Sequence, residues 1–165
     1  MTRRRSGSRG SILIFTCLVL LALVGIAGFT IDAGHLMLVK NELRSFADSA
    51  SLSAALQLDG TAEGIRRAKA AITNSTSGPH ALKWDMGTRP VSKAVLSFAK
   101  ASEKSPDKPD EKTWSEIPTD PGAYRFARVE AHVDVSMIFM GRGSSGVAVT
   151  VVAGQDAKRD VRLVQ

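Results

Sequence analysis

A long uncharged segment near the start of the chain is the strongest feature of its hydrophobic pattern. Residues Ser11 to Ile31 carry no charged side chain and are bounded by Arg9 and Asp32. As an α-helix, a segment of this length would extend about 31 Å, which matches the hydrocarbon thickness of a bilayer. The pattern predicts a transmembrane helix at 11–31 that is retained as a signal-anchor.

A cleaved secretory signal is the alternative interpretation of this segment. The apolar regions of such signals span about 7–15 residues, so this segment is longer than expected. The triplet Gly25-Ile26-Ala27 nevertheless offers small residues at the positions that a signal peptidase requires. Cleavage there would release the rest of the chain, and the sequence leaves this alternative open.

A second apolar pattern follows the first without an intervening Pro, and Gly34 is the only helix breaker between them. The segment 32–58 therefore predicts an amphipathic helix that continues the membrane helix as one rod, about 72 Å long. Lys40, Arg44 and Asp48 occupy another face, and Arg44 and Asp48 have the spacing of an ion pair. The apolar positions recur at steps of three and four residues: Leu36, Val39, Leu43, Ala47, Ala50, Ala54 and Leu58.

The remaining pattern predicts a shorter helix and then β-structure. Asp59-Gly60-Thr61 ends the rod, and Ala62 to Thr73 predicts a second helix. The cluster Ser75 to Pro79 predicts a turn, and Ala81 to Met86 and Ala94 to Ala101 predict short strands.

The clearest strand lies near the carboxyl end. From Val129 to Phe139 apolar and polar residues alternate, which predicts a strand with one buried and one solvated face. Val147 to Ala153 predicts a second strand that pairs antiparallel with the first. The segment 161–165 is either an edge strand or frayed. The expected fold class is α+β: a transmembrane helix that continues into an amphipathic helix, then a second helix and a small antiparallel sheet.

The net charge of +6 is concentrated in Arg3, Arg4, Arg5 and Arg9. Without these four, 18 basic residues face 16 acidic ones, so the sequence predicts no binding to nucleic acid. Arginines before a membrane span favour a cytoplasmic amino terminus, with the rest of the chain exported. The expected segments are a basic cytoplasmic tail 1–10, the transmembrane helix 11–31, an exported helical segment 32–73, and a mainly β exported segment 74–165 with a charged, solvated loop at 102–112.

No pattern of catalytic, metal-binding or cofactor-binding residues is found. Gly141 to Gly146 spells G-x-G-x-x-G, but a strand pattern follows it, where a nucleotide-binding motif requires a helix. His35, His80 and His132 lack the spacing of metal ligands, and the one cysteine, Cys17, lies inside the uncharged segment. We therefore predict no enzymatic activity, no catalytic or metal site, no cofactor and no nucleotide.

The first third of the chain resembles a known family. The segment G-S-I-L-I-F-T-C-L-V-L-L-A-L-V-G-I-A-G-F-T-I-D-A-G and the Ala-rich helix after it look like the amino-terminal region of TadG-like proteins of Flp/Tad pilus-assembly systems. Ten residues match that pattern: Gly10, Gly28, Asp32, Gly34, Ala47, Asp48, Ala50, Leu52, Ala54 and Ala55. Trp84-Asp85 is similar to the Trp-Asp that these proteins carry between helix and strands.

The resemblance implies an inner-membrane structural or assembly component of a Tad-type pilus or related secretion machine, whose partners are the membrane and other assembly proteins. An exported binding protein released by signal cleavage is the alternative, and a membrane-tethered periplasmic enzyme is a third hypothesis. Small residues and two acidic residues on the helix are the expected contacts with membrane or partners: Gly25, Gly28, Asp32, Gly34, Ala47, Asp48, Ala50 and Ala54.

Overall fold

One continuous helix begins the structure. The computed structural model describes residues 8–77, 82–91, 93–139, 141, 143–155 and 161–164. Helix α1 runs from Ser8 to Leu56 over 49 residues, without interruption at Gly34, and is therefore about 74 Å long. The predicted α+β fold with an apolar amino-terminal helix is confirmed.

The second half of α1 forms one side of the hydrophobic core. Val39, Leu43, Ala47 and Ala54 are fully buried, as the periodicity predicts. Alanine at the last two positions lets the sheet approach the helix closely. The predicted ion pair between Arg44 and Asp48 is wrong. Both residues are described in the structure, and their charged groups do not form an ion pair.

Helix α2, from Ala62 to Ser77, follows a turn organised by Asp59. The Asp59 carboxylate accepts hydrogen bonds from the hydroxyl and the backbone N–H of Thr61, and it also pairs with Arg67. The Thr61 hydroxyl is the main cause that lowers the pKa of Asp59 to about 2.

The turn predicted at 75–79 is wrong for Ser75 to Ser77, because α2 continues through them. The hydroxyls of Ser75 and Thr76 donate to the carbonyls of Ala71 and Ile72 four residues earlier. These side chains therefore satisfy backbone acceptors of the last turn instead of breaking it.

Two antiparallel sheets follow α2. A small hairpin joins β1 and β2, and the main sheet has the strand order β4-β3-β5-β6-β7. The strands are β1 (Lys83–Trp84), β2 (Arg89–Pro90), β3 (Lys93–Ser102), β4 (Ser105–Pro109), β5 (Tyr124–Ser136), β6 (Ser144–Gln155) and β7 (Val161–Val164).

The main sheet covers α1 with one face only. On β5 the residues Val129, Ala131, Val133 and Val135 are buried against the helices, and the residues between them point to the opposite, solvated face, as the alternation predicts. The predicted antiparallel pairing of the last two long strands is present, with Val133 opposite Val147.

Three predicted strand or loop boundaries are wrong. The strand predicted to reach Phe139 ends at Ser136, and Met137 to Phe139 belong to the loop between β5 and β6. The loop predicted at 102–112 contains edge strand β4, since prolines are tolerated where an N–H need not enter the ladder. Of the strand predicted at 81–86, only Lys83 and Trp84 are extended, and Ala81 lies outside the described residues.

Candidate functional site

The amino-terminal half of α1 exposes its apolar side chains on all sides. Every residue from Gly10 to Ile31 except Gly28 is exposed. The most apolar 18 residues of α1 have a mean hydropathy of 2.8, and only 6% of them are buried. A core helix of a soluble protein would be buried, so this helix has the length and surface of a membrane span. A signal sequence near an amino terminus shares these properties.

Asp32, at the end of this exposed region, connects the helix to the sheet. Its side chain is 1% exposed. The Oδ1 atom accepts the backbone N–H of Ile138 at 2.9 Å, and Oδ2 accepts that of Phe139 at 3.1 Å. These two N–H groups lie in the loop between β5 and β6, so one carboxylate fastens the tip of the long hairpin to α1.

Gly28, one turn before Asp32, provides space for the same hairpin tip. A Cβ atom at Gly28 would lie 2.9 Å from Cβ of Phe139 and 3.2 Å from its Cγ. Such contacts are closer than van der Waals packing allows. Glycine at this position therefore permits Phe139 to rest directly on the helix backbone.

Glu42 makes a second contact of the same kind farther along α1. Its carboxylate accepts the backbone N–H groups of Asp85 at 2.7 Å and Met86 at 3.2 Å. Both donors have positive φ, 56° and 54°, a conformation that side chains disfavour. The Asp85 carboxylate in turn lies 3.0 Å from Nε2 of His35 on α1. Glu42 thus stabilises a strained turn next to the buried Trp84.

The predicted contact residues separate into two groups. Ala47, Ala50 and Ala54 are buried in the core that α1 forms with the chain's own sheet and α2, and Asp48 is half-buried beside them. Gly25 and Gly34 are exposed, and nothing lies within 4 Å of a Cβ atom placed there. Gly25 and Gly34 lie in the same part of α1 as Gly28 and Asp32, which contact the hairpin. We call this region the junction and define it as residues 25–42 of α1 together with the turns at 85–86 and 137–139.

The solvated face of the sheet carries ordinary polar contacts. His132 lies 3.2 Å from Asp134, and Arg128 pairs with Glu130 at 3.0 Å and stacks on Trp114 at 4.3 Å. These polar side chains contact one another on an open surface. Among the described residues, no group of three or more His, Cys, Asp or Glu side chains is arranged to hold a metal ion. His80 lies outside the described residues.

Sequence reasoning missed the partners of Asp32 and the role of Glu42. A signal for the hairpin tip was present, because Met137-Ile138-Phe139-Met140 is an apolar run beside the glycines of a turn. Turns normally carry polar residues, so such a run indicates an apolar contact. Glu42 gave no comparable signal, since a glutamate between apolar positions is typical of any amphipathic helix.

Comparison with known proteins gives a match for the helix alone. No curated protein and no solved structure matches the chain. Residues 10–57, which cover nearly all of α1, match the family model Tad, described as putative Flp pilus-assembly TadE/G-like. This match confirms the resemblance expected for that segment. It also supports a role related to pilus assembly.

Proposed function

We propose that the chain is a single-pass, non-enzymatic structural component of a Tad-type pilus or a related envelope secretion machine. The family match carries the proposal, because it covers a helix with a membrane-spanning surface. The same helix holds the main sheet through Asp32 and the β1–β2 hairpin through Glu42. A helix shared by the membrane and the folded part is suited to fixing that part, the head, at a membrane surface.

In the proposed topology, α1 crosses the inner membrane with its amino terminus in the cytoplasm. The arginines of the tail 1–10 precede the uncharged segment 11–31, which supports this direction under the positive-inside rule. The helical segment 32–73 and the mainly β segment 74–165 then form a head in the periplasm.

The proposed partners are other assembly proteins of the same machine, with no role for nucleic acid or nucleotide. Gly25 and Gly34 are open positions on α1 where a second helix could approach closely. Ala47, Ala50 and Ala54, the Ala-rich stripe of α1, are buried in the chain's own core and are not available to a partner. We propose that they contribute to assembly by holding the head on the helix.

A reporter enzyme that works only outside the cytoplasm tests the topology. Fused after Gln165, it should be active, and the same fusion without residues 10–31 should be inactive. An inactive full-length fusion would contradict the proposed orientation.

Pilus assembly in the native host tests the function. Deletion of the gene should abolish pili, and the full chain should restore them. The head alone, residues 32–165 exported by an unrelated cleavable signal, should not restore pili. Pili in the deletion strain would refute the assembly role, and rescue by the free head would show that the anchor is dispensable.

The intact mass of the purified protein distinguishes the alternative. A chain that retains residues 10–27 agrees with a signal-anchor. A mature chain that begins at Gly28, after the Gly25-Ile26-Ala27 triplet, would favour an exported binding protein released from the membrane.

A further inference from the structure

We propose that the tip of the β5–β6 hairpin, Ile138 and Phe139, enters the membrane interface beside α1 and acts as a second membrane anchor of the head. This inference rests on the proposed membrane span of α1. It adds that the sheet itself touches the lipid, at the leaflet that faces the head.

The chemistry of the tip is apolar and solvent-facing. Ile138 is 61% exposed and Phe139 is 58% exposed. The neighbouring helix residues Phe29 and Ile31 are exposed as well. The tip therefore extends the apolar surface of the span, and a lipid surface that covers one would also cover the other.

The depth of the tip follows from its contact with Gly28. Phe139 rests on Gly28, which lies inside the uncharged segment. Gly28 precedes Ile31 by nearly one helical turn, so Phe139 lies about 4.5 Å inside the end of the span. Side chains of interfacial anchors enter the headgroup and acyl boundary to a similar depth, about 5–10 Å.

The backbone N–H groups of the tip have hydrogen-bond acceptors within the protein, as the membrane interface requires. Unpaired N–H groups are costly where water is scarce, and irregular backbone at membrane depth must find internal partners. Asp32 accepts the N–H groups of Ile138 and Phe139. The N–H of Met137 donates to the carbonyl of Gly143 at 3.2 Å. The N–H groups of these three residues therefore all have acceptors within the protein.

Lipid accounts for these observations better than a protein partner does. The exposed tip adjoins α1 at the level where the span would leave the bilayer, and a partner protein there would have to displace lipid from Phe29 and Ile31. Coverage by a second copy or another protein is an outcome that the experiment below can detect.

Fluorescent labels on single cysteines test the inference in the full chain. In a Cys17→Ser background, an environment-sensitive dye is placed at Ile138→Cys, Leu20→Cys or Ile117→Cys. Leu20 reports the span, and Ile117 is an exposed isoleucine of the head, 77% exposed. Each variant is reconstituted in phosphatidylethanolamine and phosphatidylglycerol vesicles and quenched with iodide or with nitroxide lipids, which carry the nitroxide either near the headgroup or in the middle of the acyl chain. Protease resistance of the head verifies folding, and Phe139→Cys replaces Ile138→Cys if that variant fails.

We expect Ile138 to be quenched strongly by the headgroup nitroxide lipid and several-fold less by iodide than Ile117. Lipid quenching at Leu20 with free iodide access at Ile138 would overturn the second anchor and leave the span intact. Iodide access at both would refute the span itself. Shielding of Ile138 from both quenchers would assign the tip to a protein contact and overturn the inference.

Discussion

At the scale of single residues, two carboxylates determine how the head sits on its helix. Asp32 and Glu42 each accept two consecutive backbone N–H groups. Hydrogen bonds to charged groups contribute about 1.5–3 kcal/mol each, against a total stability of about 5–15 kcal/mol for a typical domain. The two residues lie about 15 Å apart along the helix axis. Asp32 holds the tip of the β5–β6 hairpin of the main sheet, and Glu42 holds the turn of the separate β1–β2 hairpin.

Gly28→Ala should destabilise the junction, whereas Gly25→Ala should not. The new Cβ at position 28 would lie 2.9 Å from Cβ of Phe139, and at position 25 it would meet nothing within 4 Å. Overpacking typically costs about 1–3 kcal/mol, while alanine in an open helix position gains about 0.5–1 kcal/mol over glycine. Hydrogen exchange of the amides of β5 and β6 in micelles measures the difference. Equal protection in the two variants would show that Phe139 does not rest on the helix.

The residue-scale contacts were only partly predictable. Asp32 attracted attention because a carboxylate at the end of an apolar segment needs a partner. Its two donors lie 106 and 107 positions away in the sequence. Nothing in a local pattern specifies which loop of a sheet returns to a given helix residue. The positive φ of Asp85 and Met86 was equally hidden, because neither residue type announces that conformation.

At the scale of elements, α1 combines two surfaces that rarely share one helix. Its first half is exposed and apolar, and its second half has a buried Ala-rich stripe on which the sheet lies. Each half was predictable from its own sequence pattern. The first half is uniformly apolar, and the second half has the 3.6-residue repeat of an amphipathic helix. Edge strand β4 could not be predicted from the sequence. Its prolines and charged residues are typical of a loop, and its strand conformation depends on pairing with β3.

Ala50→Leu should destabilise the head more than Lys40→Ala. Ala50 is buried in the core that α1 forms with the sheet and α2, and Lys40 is exposed on the same helix. Three added carbon atoms in the core cost about 1–3 kcal/mol, and a surface change stays within about 0.5 kcal/mol. Limited proteolysis in detergent ranks the two variants. Equal cleavage rates would mean that the stripe tolerates bulk and that the close approach of the sheet is not required.

The turn between α1 and α2 should loosen in acid. The pKa of Asp59 is lowered from 3.8 to about 2 in the folded protein. Its stabilising effect is therefore complete above the higher value and is lost as the pH falls through the lower one. An NMR titration of the Asp59 carboxyl should give a midpoint near 2. In Asp59→Asn, the protection factors of the Gly64 and Ile65 amides, taken relative to the intrinsic exchange rates, should lose their dependence on pH in this window. A midpoint near 3.8 would contradict the observed contacts with Thr61 and Arg67.

At the scale of the whole molecule, α1 should behave as one straight rod in spite of Gly34. Spin labels at Ile12→Cys and Lys40→Cys, in a Cys17→Ser background, should be separated by about 42 Å with a narrow distribution. Both positions are exposed, so the labels disturb no packing. Pulsed electron resonance in vesicles measures the distance. A broad or clearly shorter distribution would reveal a hinge between the membrane and the head.

In the proposed topology, an unbroken α1 would act as a lever with its fulcrum at the membrane surface. The 25 residues of α1 from Asp32 to Leu56 extend about 37 Å beyond the span. Transmembrane helices tilt by about 20° on average, so a change of that size would move the far end sideways by about 13 Å. A protein that grips the head would thereby turn the helix within the bilayer, and a neighbour that presses on the helix would displace the sheet. If the proposed topology holds, force would pass along α1 between the cytoplasm and the periplasm without a flexible linker to absorb it.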